Sequence, residues 1–209
     1  LTNVVNVANV PVGAVVEGSG VGREIYVRSK SVDTQEITLN APLYNAAGTE
    51  NFTFRKFQYM VDFSGFASLS KFVMADIEFQ CNDRCSAINL APAGLIFHLR
   101  DCFVSRPMDR GITSIGGGCQ GMLIDRCQFL SAEDALTVPN RSSIALNTNA
   151  NDVKLRDCRA TKFRHFALLA GGNSIVTGNH FFQGDDVDNG VRSAGLILAS
   201  AHTSAVVTG

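Results

Sequence analysis

An all-β fold, a parallel β-helix or solenoid with a short N-terminal β lead-in, is what this sequence predicts, and three observations carry it. One short pattern returns six times: Phe72-Val73-Met74, Phe97-His98-Leu99, Met122-Leu123-Ile124, Val153-Lys154-Leu155, Ile175-Val176-Thr177 and Val206-Val207-Thr208, at offsets of 25, 25, 31, 22 and 31 residues. Two residues beyond each of the first five copies comes a second triplet: Ile77-Glu78-Phe79, Cys102-Phe103-Val104, Cys127-Gln128-Phe129, Cys158-Arg159-Ala160 and His180-Phe181-Phe182. The pairs between triplets, such as Arg100-Asp101 and Gly178-Asn179, are polar or small, as a bend requires. Finally, the outer positions of the triplets are mostly apolar while the middle ones include His98, Lys154, Glu78, Gln128 and Arg159. That is the period of two of a strand with one face in and one out. Strands of three residues cannot enclose a core alone, so the copies must stack.

Taken in order, residues 1–50 read as the lead-in or cap and residues 51–209 as the coils. Val12 to Gly20 is a short strand ended by a glycine turn. The segments Glu24 to Val27 and Gln35 to Leu39 flank polar Ser29 to Thr34, which predicts a hairpin or two edges of a small β-domain. Phe52, Phe54, Phe57, Tyr59, Val61 and Phe63 mostly alternate and read as an opening coil that closes the apolar end of the solenoid. Each repeat then carries a third strand: Ala87 to Leu90, Gly111 to Ile115, Ser143 to Leu146, Phe166 to Leu169 and Gly195 to Leu198. The longer repeats differ through Ser131 to Ser142 and Gln183 to Ser193, and such loops commonly form the binding face of a solenoid.

Three of the six cysteines, Cys102, Cys127 and Cys158, hold one inward column. Stacked strands lie about 4.8 Å apart with parallel side chains, whereas a disulfide wants converging β-carbons at about 3.8 Å. Free thiols packing as small hydrophobes are therefore expected, with Cys81 and Cys85 close enough in sequence to pair with each other. No Cys-x-x-Cys or His-x-x-x-His spacing points to a metal.

The chain has 18 basic and 19 acidic residues for a net charge of -1, which excludes a cationic nucleic-acid channel and a polybasic membrane patch. No apolar run approaches the roughly 20 residues of a membrane span. The start lacks a signal-peptide pattern, and the truncated sixth copy reads as a piece of a longer protein.

The coil pattern, with the Gly178-Asn179-His180-Phe181, Arg100-Asp101-Cys102 and Arg156-Asp157-Cys158 turns, resembles the pectate-lyase-like superfamily of right-handed parallel β-helices. Within it the chain is most similar to polygalacturonase-related proteins and bacteriophage tailspikes. The Val16-Glu17-Gly18-Ser19-Gly20 turn followed by Ile37-Thr38-Leu39 is similar to the lead-in of tailspike helices. The resemblance implies contact with a polymeric carbohydrate, by cleavage or by binding, often in a homotrimer at an extracellular or virion surface. The Asn-Thr-Asp, Gly-His-Gly and Arg-Ile-Lys motifs of polygalacturonases are absent, while Gly184-Asp185-Asp186 is similar to their paired aspartates.

Counting six residues past the start of each second triplet gives Asp83, Met108, Glu133, Arg164 and Asp186; seven past gives Arg84, Asp109, Asp134, His165 and Val187. If the register survives the bend, these line one edge, with Glu133 and Asp186 two coils or about 9.6 Å apart. An inverting glycosidase leaves roughly 6.5 to 9.5 Å between its acid and base. Glu133 and Asp186 are thus the candidate acid and base, with Arg164 or His165 holding an anionic sugar. Asp134, Asp185 and Arg141 are candidate substrate contacts beside them. A lyase would instead use Arg164 or Lys162 as base, with calcium held by Asp185 and Asp186. Phe103 and Phe181, expected on one outer column, could stack on sugar rings or be covered by another subunit. Against this stands a bland reading: acidic residues collect in turns because their side chains satisfy the local backbone, and His180, expected inward, is a core histidine. Two classes therefore remain open: a glycoside hydrolase or polysaccharide lyase acting on an acidic polysaccharide, and a non-catalytic carbohydrate-binding or structural spike, fibre or adhesin subunit.

Overall fold

The structure, a computed structural model, describes residues 1–22, 25–44, 48–56, 58–114, 119–131, 143–182, 194–199 and 202–209. The chain forms two compact units, Leu1–Gln58 and Tyr59–Gly209.

In the first unit β1 (Val15–Gly18), β2 (Val27–Ser31), β3 (Glu36–Leu39) and β4 (Phe52–Arg55) are short. β2 and β3 form an antiparallel hairpin with a bulge between Val27 and Ser29, and β1 pairs antiparallel with β4. The alternation Val16 in, Glu17 out buries one face on Val7, Val10, Ala14, Ile25, Val27 and Ile37. Phe52 and Phe54 pack against this small core. The aromatic stretch that reads as one opening coil is therefore divided: Phe52–Arg55 serves the first unit, and the solenoid's strands begin at Tyr59.

The second unit is a parallel β-solenoid. After β5 (Tyr59–Asp62), five coils contribute three strands each. They are β6 (Phe72–Ala75), β7 (Glu78–Gln80) and β8 (Ser86–Asn89); β9 (Phe97–Arg100), β10 (Phe103–Ser105) and β11 (Arg110–Ser114); β12 (Met122–Asp125), β13 (Gln128–Leu130) and β14 (Ile144–Thr148); β15 (Lys154–Arg156), β16 (Arg159–Thr161) and β17 (His165–Leu169); and β18 (Ser174–Thr177), β19 (His180–Phe182) and β20 (Ala194–Leu198). β21 (Ala205–Thr208) starts a sixth. Equivalent strands stack in parallel into three sheets: β6-β9-β12-β15-β18-β21, β7-β10-β13-β16-β19 and β5-β8-β11-β14-β17-β20. We call these the first, second and third sheets.

Register follows from which residues can be buried. Met74, Leu99, Ile124, Leu155 and Val176 stack inside the first sheet, Phe79, Val104, Phe129, Ala160 and Phe181 inside the second, and Ile88, Ile112, Leu146, Ala167 and Leu196 inside the third. Between first and second sheets every coil turns through one left-handed residue: Asp76 (φ 56°), Asp101 (53°), Arg126 (49°), Asp157 (52°) and Gly178 (64°). Aspartate tolerates this region better than most residues and glycine freely, which is why the polar pairs of the sequence mark the bend.

The fifth copy corrects the sequence reading by one residue. Lys154 pairs with Ile175 and Arg159 with His180, so Ser174-Ile175-Val176 and Asn179-His180-Phe181 are the true triplets. A slip of one flips every side chain. Ile175 therefore points outward and Ser174 inward, where His202 Nε2 lies 3.1 Å from its hydroxyl. His180, expected in the core, is exposed. Phe181, expected outward, faces in and stacks on Phe166 at 6.2 Å.

All six cysteines are free and buried. Cys102, Cys127 and Cys158 superpose one residue before the paired Phe103, Gln128 and Arg159, and Asn179 takes the next place in their column. Each thiol donates to the carbonyl two residues earlier, at 3.2 to 3.3 Å. Cys127 and Cys158 also reach Leu99 O and Ile124 O in the coil before. Asn179 repeats both contacts through Nδ2, to Thr177 O at 3.0 Å and Leu155 O at 2.8 Å.

Candidate functional site

One edge of the solenoid, the junction of the second and third sheets, carries Lys162, Arg164 and His165 among the candidate residues. The chain from Leu130 to Ile144 and that from Phe182 to Ala194 both leave the second sheet and rejoin the third here, in coils three and five. Between them coil four crosses directly, through Lys162-Phe163-Arg164. Phe163 is buried and anchors the crossing, and Lys162 N–H donates to Phe182 O at 3.2 Å.

His165 opens β17. Its N–H donates to Ser143 O at 3.0 Å, Arg164 N–H donates to Ser143 Oγ at 3.0 Å, and Ala194 N–H to Arg164 O at 3.1 Å. The buried His165 Nδ1 has no hydrogen-bond partner among the described residues. Burial, reinforced by the Arg164 charge, holds the imidazole below its ordinary value, so it is neutral at pH 7, with one nitrogen able to accept a proton and the other to donate. Earlier in the same edge Asp83 pairs with Arg106, and Asp109 Oδ2 with Arg110 Nε at 3.2 Å. Asp83 Oδ1 is buried without a hydrogen-bond partner among the described residues.

The ladder revises the counted register. Ile144 pairs with both Arg110 and His165, so Arg164 lies level with Ser143 and, one coil further, with Asp109 rather than Met108. The insertion in coil three breaks the count. Glu133, Asp134, Arg141, Asp185 and Asp186 lie outside the described residues. Phe103 is half-buried on the outward column of the second sheet, between Glu78 and Gln128, and its outward companion is His180 rather than Phe181. Among the described residues no three His, Cys, Asp or Glu side chains converge as a metal site would require.

A second charged cluster escaped the sequence reading. Arg100, Asp125 and Arg156 stack at the end of the first sheet, with Asp101, Arg126 and Asp157 following each of them at the bend. Asp125, 2% exposed in its side chain, accepts from Arg156 Nε at 2.7 Å and from Arg126 Nη1 at 2.6 Å. The Arg156 hydrogen bond, then the charges of Arg156 and Arg126, hold its carboxyl below the usual range against the opposing effect of burial. The signal was present in the bend pairs, which read Arg-Asp, Asp-Arg, Arg-Asp in successive coils. Asp101 with Arg126 and Asp125 with Arg156 are joined across successive coils, so the cluster is a structural clasp.

Fold and edge together define a parallel β-solenoid with a charged, loop-bearing flank. No family model matches the sequence, and neither a curated protein nor a solved structure matches it.

Proposed function

We propose that this is a polysaccharide-directed β-helix domain, related to tailspikes and polygalacturonase-like proteins, that meets an acidic extracellular polysaccharide along the junction of its second and third sheets. One observation carries the reading. The two longest connections between strands of the solenoid depart from the same edge in coils three and five, on either side of a short crossing bearing Lys162, Arg164 and the neutral His165. Strands stack about 4.8 Å apart, so a polymer lying along this edge spans several coils and meets cations suited to uronate carboxylates. In the catalytic form Glu133 and Asp186, one in each long connection, are the acid and base of a hydrolase. In a lyase Arg164 or Lys162 abstracts the proton beside the uronate carboxylate, and Asp185 and Asp186 hold calcium. An extracellular or virion-surface location and a homotrimer belong to the same proposal.

A non-catalytic spike, fibre or adhesin subunit is favoured by a different observation. The described carboxylates of this edge, Asp83 and Asp109, are already engaged by Arg106 and Arg110. The outward column of the first sheet also exposes Val73, Ile175 and Val206, suited to contact with another subunit. A panel of acidic bacterial polysaccharides separates the readings: reducing ends or unsaturated-uronate absorbance support the enzyme, and glycan binding without turnover supports the subunit. Neither turnover nor binding on any acidic glycan would reject both. If Glu133→Gln and Asp186→Asn leave turnover intact, the acid and base lie elsewhere.

A further inference from the structure

The outer face of the second sheet holds a set of side chains that the proposed edge does not use. Outward-facing Phe103, Gln128, Arg159 and His180 pair in register in successive coils. With coils about 4.8 Å apart they form one column about 14 Å long. Beside it, on the same face, run Ser105, Leu130, Thr161 and Phe182. Phe182 is 64% exposed, and its ring centroid lies 6.5 Å from that of His180. Arg159 is exposed and has no ion-pair partner among the described residues.

Composition separates this face from the other two. No outward position of β10, β13, β16 or β19 is acidic, while Glu78 heads the column in coil one and repels an anion from that end. The first sheet turns the aliphatic Val73, Leu123, Ile175 and Val206 outward, and the third joins Asn89 Nδ2 to Asp62 Oδ1 at 3.0 Å. A pyranose ring presents an apolar face of C–H groups and a polar rim. The apolar face packs on an aromatic ring, the hydroxyls of the rim bond to amide, imidazole and hydroxyl groups, and a uronate carboxylate takes two parallel hydrogen bonds from a guanidinium. Exposed rings beside a cation without an ion-pair partner suit one ligand that is apolar on its face and anionic at its rim. The face also runs onto the proposed edge, since Lys162 directly follows Thr161 and donates its N–H to Phe182 O at 3.2 Å.

Resting on the glycan reading above, we propose that Phe103, Gln128, Arg159, His180 and Phe182 form a second track for the same acidic polysaccharide. Arg159 holds a uronate carboxylate, and the rings of Phe103 and Phe182 support sugars on either side of it.

The test measures binding of fluorescently labelled oligosaccharides of hyaluronate, alginate and polygalacturonate to the 209-residue chain, beside the carboxyl-reduced form of each. Arg159→Gln and Phe182→Ala should each weaken binding of the acid form about tenfold. Arg159→Gln should leave binding of the carboxyl-reduced form unchanged, and Lys154→Gln, on the first sheet, should alter neither. All three side chains are exposed, so the variants keep the fold. The proposal is overturned if either Arg159→Gln or Phe182→Ala binds the acid form as the wild type does. It is also overturned if the face seats a second copy instead, so that Phe182→Ala converts a dimer to a monomer in sedimentation. Binding that falls with Arg164→Gln but not with Arg159→Gln overturns this track alone and leaves the edge standing, whereas no binding of any of the three probes overturns both.

Discussion

Arg126 grips Asp101 with two parallel hydrogen bonds, Nε to Oδ1 at 2.8 Å and Nη2 to Oδ2 at 2.7 Å, across one step of the solenoid. The same guanidinium reaches Asp125 beside it, and Arg156 closes on Asp125 from the following coil. Exposed pairs contribute little on their own. Asp125 differs because its side chain is enclosed and accepts charged hydrogen bonds from both sides.

Asp125→Ala should therefore destabilise the solenoid by about 2 kcal/mol, the scale of a lost hydrogen bond to a charged group, whereas Asp101→Ala, on the exposed side, should change little. Urea unfolding of both variants checks the contrast. Equal effects would mean that enclosure of Asp125 adds nothing.

Stability should fall in two steps as pH drops. His165 and His98 lie below the ordinary 6.5, chiefly through burial and then neighbouring cations. The unfolded chain thus binds protons first, and their contribution, complete above about pH 6.5, is lost as pH falls through the folded values. Asp62, Asp101 and Asp125 are held below 3.8 by hydrogen bonds, to Ser64 for Asp62 and to arginines for the others. By the same sign their contribution is complete above about pH 4 and lost below it. Urea midpoints from pH 8 to 3 should show both steps, and His98→Gln with His165→Gln should flatten the upper one.

Asn179 joins two coils with three hydrogen bonds, the third being Cys158 N–H to its Oδ1 at 2.9 Å. Asn179→Ala should cost about 2 kcal/mol by leaving buried backbone groups unpaired. Asn179→Cys, which restores the residue of the preceding three coils, should cost less. Thermal unfolding ranks the two.

A β-carbon at Gly111 would stand 2.4 Å from Ala145 O and 3.1 Å from Phe129 Cδ1. Because the nearest atom is backbone in a packed sheet, Gly111→Ala should destabilise by about 3 kcal/mol. An alanine variant with an unchanged unfolding midpoint would show that coils two and three can move apart at no cost.

The legible part of this protein was what repeats. The recurring triplets, the polar bends and the cysteine column announce a stacked parallel solenoid, because each coil must bury the same inward positions against its neighbours. The Met60 contact with Cys81 was not legible, since the two belong to different coils. The candidate edge was legible only as far as Arg164 and His165, because the count across a bend loses its meaning once coil three inserts residues.

The sequence by itself determined the solenoid, since periodic burial and left-handed bend residues are local properties that every copy restates. Tertiary structure alone decided the facing of coil five and the partners of Arg164. Where Ile175 and Val176 are both apolar, alternation permits two registers one residue apart. Strand pairing with coil four, the Asn179 side chain held by two backbone carbonyls and Gly178 at the bend select one of them, turning His180 out and Phe181 in.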